Sequence, residues 1–90
     1  MASFVMLRSK VKDFKTWKTA YDAHASVRKE FGLSEEHVFK GADNSNEIVV
    51  LLKAADLKRA KEFAASPALA EAMQKSGVIG KPDVQFLEKA

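Results

Sequence analysis

Apolar and polar positions change their spacing along this chain of 90 residues, and the changes predict strands and helices. Apolar residues at helical spacing between Phe14 and Phe31 predict a first helix, with Asp13 as its N-cap and Gly32 as its stop. Short runs rich in strand-forming residues predict β-strands at residues 3–9, 37–41, 47–53 and 83–88.

A second helical segment follows the third strand and is broken into two pieces. Asp56 caps the first piece, which runs to about Ala65. Ser66 and Pro67 then restart the helix, because serine caps helices and proline fits their first position, and Gly77 ends it. The order β-α-β-β-α-β predicts an α+β, ferredoxin-like fold, a four-stranded antiparallel sheet with the helices on one face.

Apolar residues point to both faces of the predicted sheet. In the third strand one face would carry Ile48, Val50 and Leu52, while the other would carry Val49 and Leu51. Helices cover only one face of such a sheet, so an apolar second face requires a further partner. We therefore expect a homodimer joined through the open sheet face.

Composition narrows the class of protein. Hydrophobic residues make up 47% and charged residues 30%, as in a soluble globular chain, and the length fits one domain over residues 1–90. No apolar run is long enough for a membrane span and no secretory signal is evident, so we expect a cytoplasmic protein without a membrane partner. The net charge of +3 is mild and scattered, which argues against a nucleic-acid partner.

Missing residue types exclude several chemistries. The chain has no cysteine, which excludes disulfides, thiolate metal sites and a cysteine nucleophile. His24 and His37 lack the carboxylate pattern of a metal site. There is no Gly-rich phosphate loop and no Gly-x-Ser-x-Gly motif. We expect neither a metal nor a cofactor.

The first predicted helix carries the most informative pattern. His24 and Arg28 project from the middle of its apolar arc, and their i, i+4 spacing puts both on the same side. A guanidinium that points into an apolar face is costly unless it has partners. The arc itself consists of Phe14, Trp17, Ala20, Tyr21, Val27 and Phe31.

Two interpretations of this pair stay open. In the structural one, Arg28 pairs with a buried acid or with carbonyls at strand ends, and His24 forms a hydrogen bond with the backbone. In the functional one, both point into a small-molecule pocket between the first helix and the sheet.

The functional interpretation gives each candidate residue a role. His24 would remove a proton from a carbon acid or phenol, Arg28 would hold the resulting oxyanion, and Tyr21 would donate a further hydrogen bond. The substrate-binding candidates are Trp17, Phe31, Phe63, Leu69 and Met73 as apolar walls, and His37 at the pocket mouth.

The order of several motifs resembles a known group of proteins. They are Val11–Trp17, His24-x-x-x-Arg28-x-x-x-Gly32, Val38–Leu51, Phe63-x-x-Ser-Pro-x-Leu69 and Pro82-x-x-x-Phe86. Over most of the chain this series resembles the dimeric α/β-barrel superfamily, which includes antibiotic-biosynthesis monooxygenases and small stress-responsive and cyclase-like proteins. The resemblance implies a ferredoxin-like protomer, two sheets facing each other in a dimer, and a pocket between each sheet and its helices.

The resemblance implies a range of activities. One is a cofactor-independent monooxygenase or cyclase that acts on an aromatic or polyketide-like substrate. The alternative is a non-catalytic or stress-responsive dimer that binds a small organic anion in the same pocket. The sequence leaves open whether the chain is an enzyme.

Overall fold

The computed structural model describes residues 2–90, so Met1 of the predicted 1–90 domain lies outside the described residues. The elements are β1 Ser3–Val11, α1 Phe14–Ala23, α2 Ala25–Glu30, β2 Leu33–Lys40, β3 Glu47–Ala54, α3 Leu57–Ala64, α4 Pro67–Lys75 and β4 Val78–Glu88. The strands form an antiparallel sheet in the spatial order β2-β3-β1-β4. This is the predicted α+β, ferredoxin-like arrangement, with each helical segment divided in two.

Alternate residues of the two central strands form the helix-facing side of the sheet. Val5 pairs with Leu52 and Leu7 pairs with Val50 across β1 and β3, and all four are buried. The helices therefore pack on one face of the sheet, as the sequence predicts. Their contribution to the same core includes Trp17, Tyr21, Ala60 and Phe63.

Three helix starts follow the predicted caps. Asp13, Asp56 and Ser66 each accept a hydrogen bond from a backbone N–H two or three residues later, at 3.0–3.2 Å. Each bond satisfies an N–H group that has no partner inside its helix. The caps fix where α1, α3 and α4 begin, and thereby which of their faces meets the sheet.

The first helix is not continuous from Phe14 to Phe31, as predicted, but divides at His24. The backbone N–H of His24 donates to the carbonyl oxygen of Tyr21 at 3.1 Å, which tightens the last turn of α1. The same carbonyl accepts a hydrogen bond from Arg28 Nη1 at 2.8 Å. The prediction misses the break because no glycine or proline marks it in the sequence.

Strand β2 begins at Leu33 rather than at residue 37. Gly32 turns the chain with a φ of +73°, and Leu33 then pairs with Ala54. Consecutive glutamates hide this start, because they are depleted in strands generally. A bulge between Glu35 and His37 shifts the register of the strand against β3.

Strand β4 begins at Val78 rather than at residue 83. Val78 pairs with Val11, beyond an irregularity in the pairing of β1 with β4. Gly80 has a φ of +71°, and Pro82 follows it. Both residues indicate a loop in the sequence, but a strand at the sheet edge accommodates them.

The other face of the sheet carries apolar residues beside charged ones such as Arg8, Lys10 and Lys53, and no element within residues 2–90 packs over it. Phe4, Met6, Val49 and Leu51 are half-buried on this open face. Phe39 is 53% exposed and Ile79 is 50% exposed. The pattern of apolar residues on both faces is therefore present in the folded chain.

Two features are absent from residues 2–90. None of the helices in this part of the chain combines the length and apolar character needed to cross a membrane. Nor does any group of three or more His, Cys, Asp or Glu side chains converge where it could hold a metal ion.

Candidate functional site

A cavity of about 60 Å³ lies between the helices and the buried face of the sheet. Leu7, Ile48 and Val50 of the two central strands form its floor. Their exposed fractions are 7% or less, so the floor is part of the packed core. The helices supply the walls, and the cavity therefore lies in the layer where the sequence predicts a pocket.

Seven of the nine candidate residues line this cavity. Helix α1 and the junction that follows it supply three of them, α2 and α3 supply one each, and α4 supplies two. The cavity thus depends on the complete helical layer and not on the first helix alone. The seven residues are Trp17, Tyr21, His24, Arg28, Phe63, Leu69 and Met73.

His37 does not lie at the mouth of this cavity, so that prediction is wrong. It pairs with Leu51 on the open face of the sheet, is exposed, and has its ring 5.4 Å from that of Phe39. Strict alternation from Leu33 would turn residue 37 toward the helices, but the bulge after Glu35 reverses the orientation.

Phe31 does not line the cavity either. It ends α2, and its ring centroid lies 5.4 Å from that of Phe63. Its ring also contacts the guanidinium of Arg59, with Cζ 5.4 Å from the ring centroid. Phe31 therefore supports a cavity wall from behind instead of offering a surface to a ligand.

Arg28 is the only charged side chain in residues 2–90 that is buried, with 9% of its surface exposed. Its Nη1 donates to the carbonyl oxygen of Tyr21, and its Cζ lies 3.6 Å from the centroid of the Tyr21 ring. One face of the guanidinium makes a cation–π contact with the ring, and one of its N–H groups donates to a carbonyl oxygen at the end of α1. The side chain is thus fixed in place.

The guanidinium of Arg28 nevertheless keeps most of its hydrogen-bonding capacity. It carries five N–H donors, and only the bond to Tyr21 forms within residues 2–90. No Asp or Glu in that range forms an ion pair with it. The unpaired Nε and Nη2 of Arg28 are not fully enclosed, and Arg28 is one of the residues that line the cavity.

Tyr21 contributes its ring to the cavity, whereas its hydroxyl is enclosed and lies near the Glu35 carboxylate without a hydrogen bond of regular geometry. The Trp17 ring stacks on it at 4.9 Å, so Trp17, Tyr21 and Arg28 form one column. Burial raises the pKa of the Tyr21 phenol. The charge of Arg28 opposes this rise and the carboxylate of Glu35 adds to it. The phenol is therefore neutral at physiological pH.

His24 is half-buried at the junction of α1 and α2 and lines the cavity. Its side chain forms no capping hydrogen bond with α2. The pKa of Glu71 on α4 is lowered mainly by its hydrogen bond and ion pair with Lys75, and His24 adds a smaller effect. His24 is thus near enough to Glu71 on α4 for its charge to act on that carboxyl group.

Two serines that are not among the predicted site residues also line the cavity. Ser76 is 6% exposed, and its hydroxyl donates to the carbonyl oxygen of Met73 at 3.0 Å. Ser9 lies on the helix-facing side of β1. The sequence indicates this position, because Ser9 is a polar residue within a series of alternate apolar residues of β1 that includes Leu7 and Val11.

Solved structures from several bacteria share this fold. A protein from Bordetella bronchiseptica, named a putative antibiotic biosynthesis monooxygenase, matches with a TM-score of 0.80 at 8% identity over 100% of this chain and 99% of that chain. A protein of the same name from Caulobacter crescentus CB15 gives 0.74 at 15% identity over 99% and 90%. SnoaB from Streptomyces nogalater, a cofactor-independent oxygenase, gives 0.73 at 11% identity over 99% and 92%.

The likeness to these proteins is one of structure. No protein-family model matches the chain, and no curated protein matches it in sequence. At identities of 8–15% the shared architecture does not establish a shared activity. The chain has the ferredoxin-like fold of the antibiotic biosynthesis monooxygenase proteins, the group that its motifs resemble.

Proposed function

We propose that this protein binds a small organic oxyanion in the cavity between α1 and the sheet. The ligand class is an aromatic or polyketide-like acid or phenol, and His24 acts on it as a base in a cofactor-independent reaction. The observation that supports the proposal is the buried guanidinium of Arg28, which faces the cavity and has no acidic partner within residues 2–90.

A buried cation without a counter-ion is costly, on the order of several kcal/mol, because it loses the solvation that water provides. An oxyanion in the cavity would restore that solvation through the spare N–H donors of Arg28. The apolar floor would strengthen the attraction by lowering the local dielectric constant. The site is thus better suited to an anion than to a neutral ligand.

His24 supplies the second half of the proposal. A neutral imidazole can accept a proton from a carbon acid or phenol at physiological pH, and the charge left on the substrate oxygen would face Arg28. The electron-rich carbon formed in this way can react with O₂, as in a monooxygenase, or with another carbon, as in a cyclase. SnoaB, a cofactor-independent oxygenase, has the same fold, which supports the first of these outcomes.

Tyr21 takes a different role from the predicted hydrogen-bond donor. Its hydroxyl is enclosed and does not reach the cavity, whereas its ring packs against the guanidinium of Arg28. We therefore assign Tyr21 as a positioning residue. The loss of this donor also favours a second candidate function, in which the cavity binds an anion without catalysis.

The open sheet face supports a homodimer as part of the same proposal. Phe39 and Ile79 are half exposed, and the half-buried Leu51 lies between the edge strands on this face. Sedimentation should give about 20 kDa, twice the chain mass of 9.9 kDa, if two sheets bury an interface of ordinary size. Leu51→Lys should shift the protein toward the monomer. A monomeric parent at micromolar concentration would contradict the dimer.

Trp17 offers a direct test of binding, because it is the one tryptophan of the chain and lines the cavity. Its indole N–H cross-peak in an NMR spectrum should shift saturably with benzoate, 2-naphthoate or both. Arg28→Met should weaken this binding at least about tenfold, since a hydrogen bond to a charged group contributes about 1.5–3 kcal/mol.

Arg59→Met is the matched control for this titration. Arg59 also contacts an aromatic ring and donates to a helix-end carbonyl, but it lies outside the cavity. It should leave binding unchanged. The proposed function is contradicted if neither carboxylate binds, or if Arg28→Met and Arg59→Met have the same effect.

Proton exchange distinguishes catalysis from simple binding. Phenylpyruvate carries a carboxylate and an acidic CH₂ group, and loss of its CH₂ signal in D₂O reports proton removal. We expect the protein to accelerate this exchange and His24→Gln to reduce the acceleration about a hundredfold, the usual scale for a general base. His37→Gln, on the open face, should have no effect. Binding without accelerated exchange would favour the non-catalytic alternative.

A further inference from the structure

We infer that Ser9 of β1 binds the ligand of this cavity, and that the ligand carries an uncharged hydroxyl or carbonyl group besides its oxyanion. The inference rests on the proposed function, because it concerns the occupant of the same cavity. It narrows the ligand class from aromatic or polyketide-like acids and phenols in general to those with a second polar group that can bond to a serine.

Ser9 is a polar residue in an otherwise apolar cavity floor. It lies on the helix-facing side of β1 between Leu7 and Val11, which are both buried. Its partner on β3 is Ile48, which is also buried and lines the cavity. A hydroxyl in apolar surroundings costs free energy unless it forms a hydrogen bond. The Ser9 hydroxyl therefore needs a partner.

The described part of the chain does not supply that partner. None of the side-chain hydrogen bonds within residues 2–90 involves Ser9. Neither neighbouring strand offers one, because Ile48 has no polar side-chain atom and the pairing of β1 with β4 passes from Arg8 to Lys10 without including Ser9. Ser9 is half-buried and its hydroxyl is not fully enclosed. The donor and acceptor sites of this hydroxyl are therefore available to an occupant of the cavity.

Ser76 provides a comparison, because it is a serine of the same cavity with a structural role. Its hydroxyl donates to the carbonyl oxygen of Met73, three residues earlier, at 3.0 Å. Met73 belongs to the last turn of α4, where carbonyl groups lack partners inside the helix. The fold thus explains a serine at position 76, whereas no hydrogen bond within residues 2–90 explains the serine at position 9.

The positions of Arg28 and Ser9 indicate how the two polar groups of a ligand would be arranged. Arg28 belongs to α2, which leads into the edge strand β2, whereas Ser9 lies on β1, which β3 separates from β2. The oxyanion would face Arg28 and the second polar group would face Ser9, with the apolar part of the ligand against Leu7 and Val50. Because a serine hydroxyl is uncharged and both donates and accepts, it suits a hydroxyl or carbonyl group better than a second charge.

Substituted benzoates test the inference. 3-Hydroxybenzoate and 4-hydroxybenzoate are titrated beside benzoate while the Trp17 indole cross-peak is followed, with 3- and 4-methylbenzoate as controls of similar size. We expect at least one hydroxybenzoate to bind about three- to tenfold more tightly than benzoate, the usual scale of one net hydrogen bond, and more tightly than its methyl counterpart. An apolar site without a partner for the hydroxyl would show the opposite order, because it favours the methyl group.

Ser9→Ala is the second arm of the test. It removes the hydroxyl and should abolish the preference for the hydroxybenzoate, while the dissociation constant of benzoate itself changes by less than about twofold. Ser9→Cys keeps the shape of the side chain but carries a weak donor, so it should reduce the preference as well. Ser76→Ala is the matched control, because Ser76 also lines the cavity but already donates its hydroxyl to Met73. It should leave the preference unchanged.

The outcomes separate this inference from the proposed function. If benzoate binds and depends on Arg28 but neither hydroxybenzoate is preferred, Ser9 does not bind the ligand and the anion site stands. The same conclusion follows if the preference survives in Ser9→Ala, or if Ser76→Ala abolishes it equally. If no benzoate shows Arg28-dependent binding, the proposed function itself fails and this inference fails with it.

Discussion

Two helix ends in this protein are capped in the same way by an arginine. At the end of α1, Arg28 donates to the carbonyl of Tyr21 and covers the Tyr21 ring. At the end of α2, Arg59 donates to the carbonyl of Glu30 at 2.8 Å and lies over the Phe31 ring. Each arginine donates to a carbonyl oxygen at a helix C-terminus, and the carbonyl of Tyr21 also accepts from the backbone N–H of His24.

The two ends differ in their surroundings. Arg59 is exposed, so water solvates its remaining donors, whereas Arg28 is buried and faces an apolar cavity. Capping alone therefore does not require a buried guanidinium, since Arg59 performs it at the surface. The burial of Arg28 calls for a further explanation, and an anionic ligand provides one.

A charge reversal should separate the two ends most strongly. Arg28→Glu would place a carboxylate against the Tyr21 carbonyl in a buried site, so we expect it to lower the free energy of unfolding by about 3 kcal/mol or more. Arg59→Glu should lower it by less than about 1 kcal/mol, because water solvates the new charge. Urea denaturation measures both. Equal losses of unfolding free energy would show that the two arginines have the same structural role.

Tyr21→Phe removes the enclosed hydroxyl, so that the ring under Arg28 becomes the same type as the Phe31 ring under Arg59. Burial raises the pKa of Tyr21 above its ordinary value of 10.0, so the folded protein keeps a proton that the unfolded chain releases. This contribution to stability is complete below about pH 10 and is lost as the pH rises toward the folded-state pKa. We expect the free energy of unfolding to fall less steeply above about pH 10 in Tyr21→Phe than in the parent.

The absorbance of tyrosinate checks the same point without denaturant. Tyr21 is the only tyrosine of the chain, so the signal has one source. The folded protein should show no tyrosinate at about pH 10.5, where a free phenol is mostly ionised. Ionisation at the ordinary pKa in the folded state would mean that the hydroxyl is not enclosed.

Arg59→Met should have the smallest effect of the series. It removes one exposed hydrogen bond and one distant cation–π contact, so the free energy of unfolding should fall by less than about 1 kcal/mol. Thermal or urea unfolding measures the change. A loss greater than that of Arg28→Met would show that the exposed cap is the more important one.

The sequence predicts the parts of this fold that depend on local chemistry. Asp13, Asp56 and Ser66 cap their helices because their side chains bond to neighbouring N–H groups, an interaction that needs only a few consecutive residues. The inward position of Arg28 is also a local consequence, since it follows from helical spacing. The predicted placement of seven candidate residues around one cavity depends on the same periodicity.

The features that the sequence could not predict depend on distant partners. The bulge that turns His37 outward arises from the pairing of β2 with β3, and no residue type marks it. The break at His24 is supported by the Arg28 side chain. The sealed hydroxyl of Tyr21 follows from packing across several elements. Such features appear only when the whole chain is assembled.

The most direct test compares the guanidinium groups themselves. The chain has three arginines, Arg8, Arg28 and Arg59, so their Nε–H signals can be resolved and assigned by single Arg→Lys substitutions. On titration with benzoate, the Arg28 signal should shift saturably with the same dissociation constant as the Trp17 indole signal, while the Arg59 signal stays in place. If the Arg28 signal does not respond, or if Arg28 and Arg59 respond alike, the cavity is not an anion site.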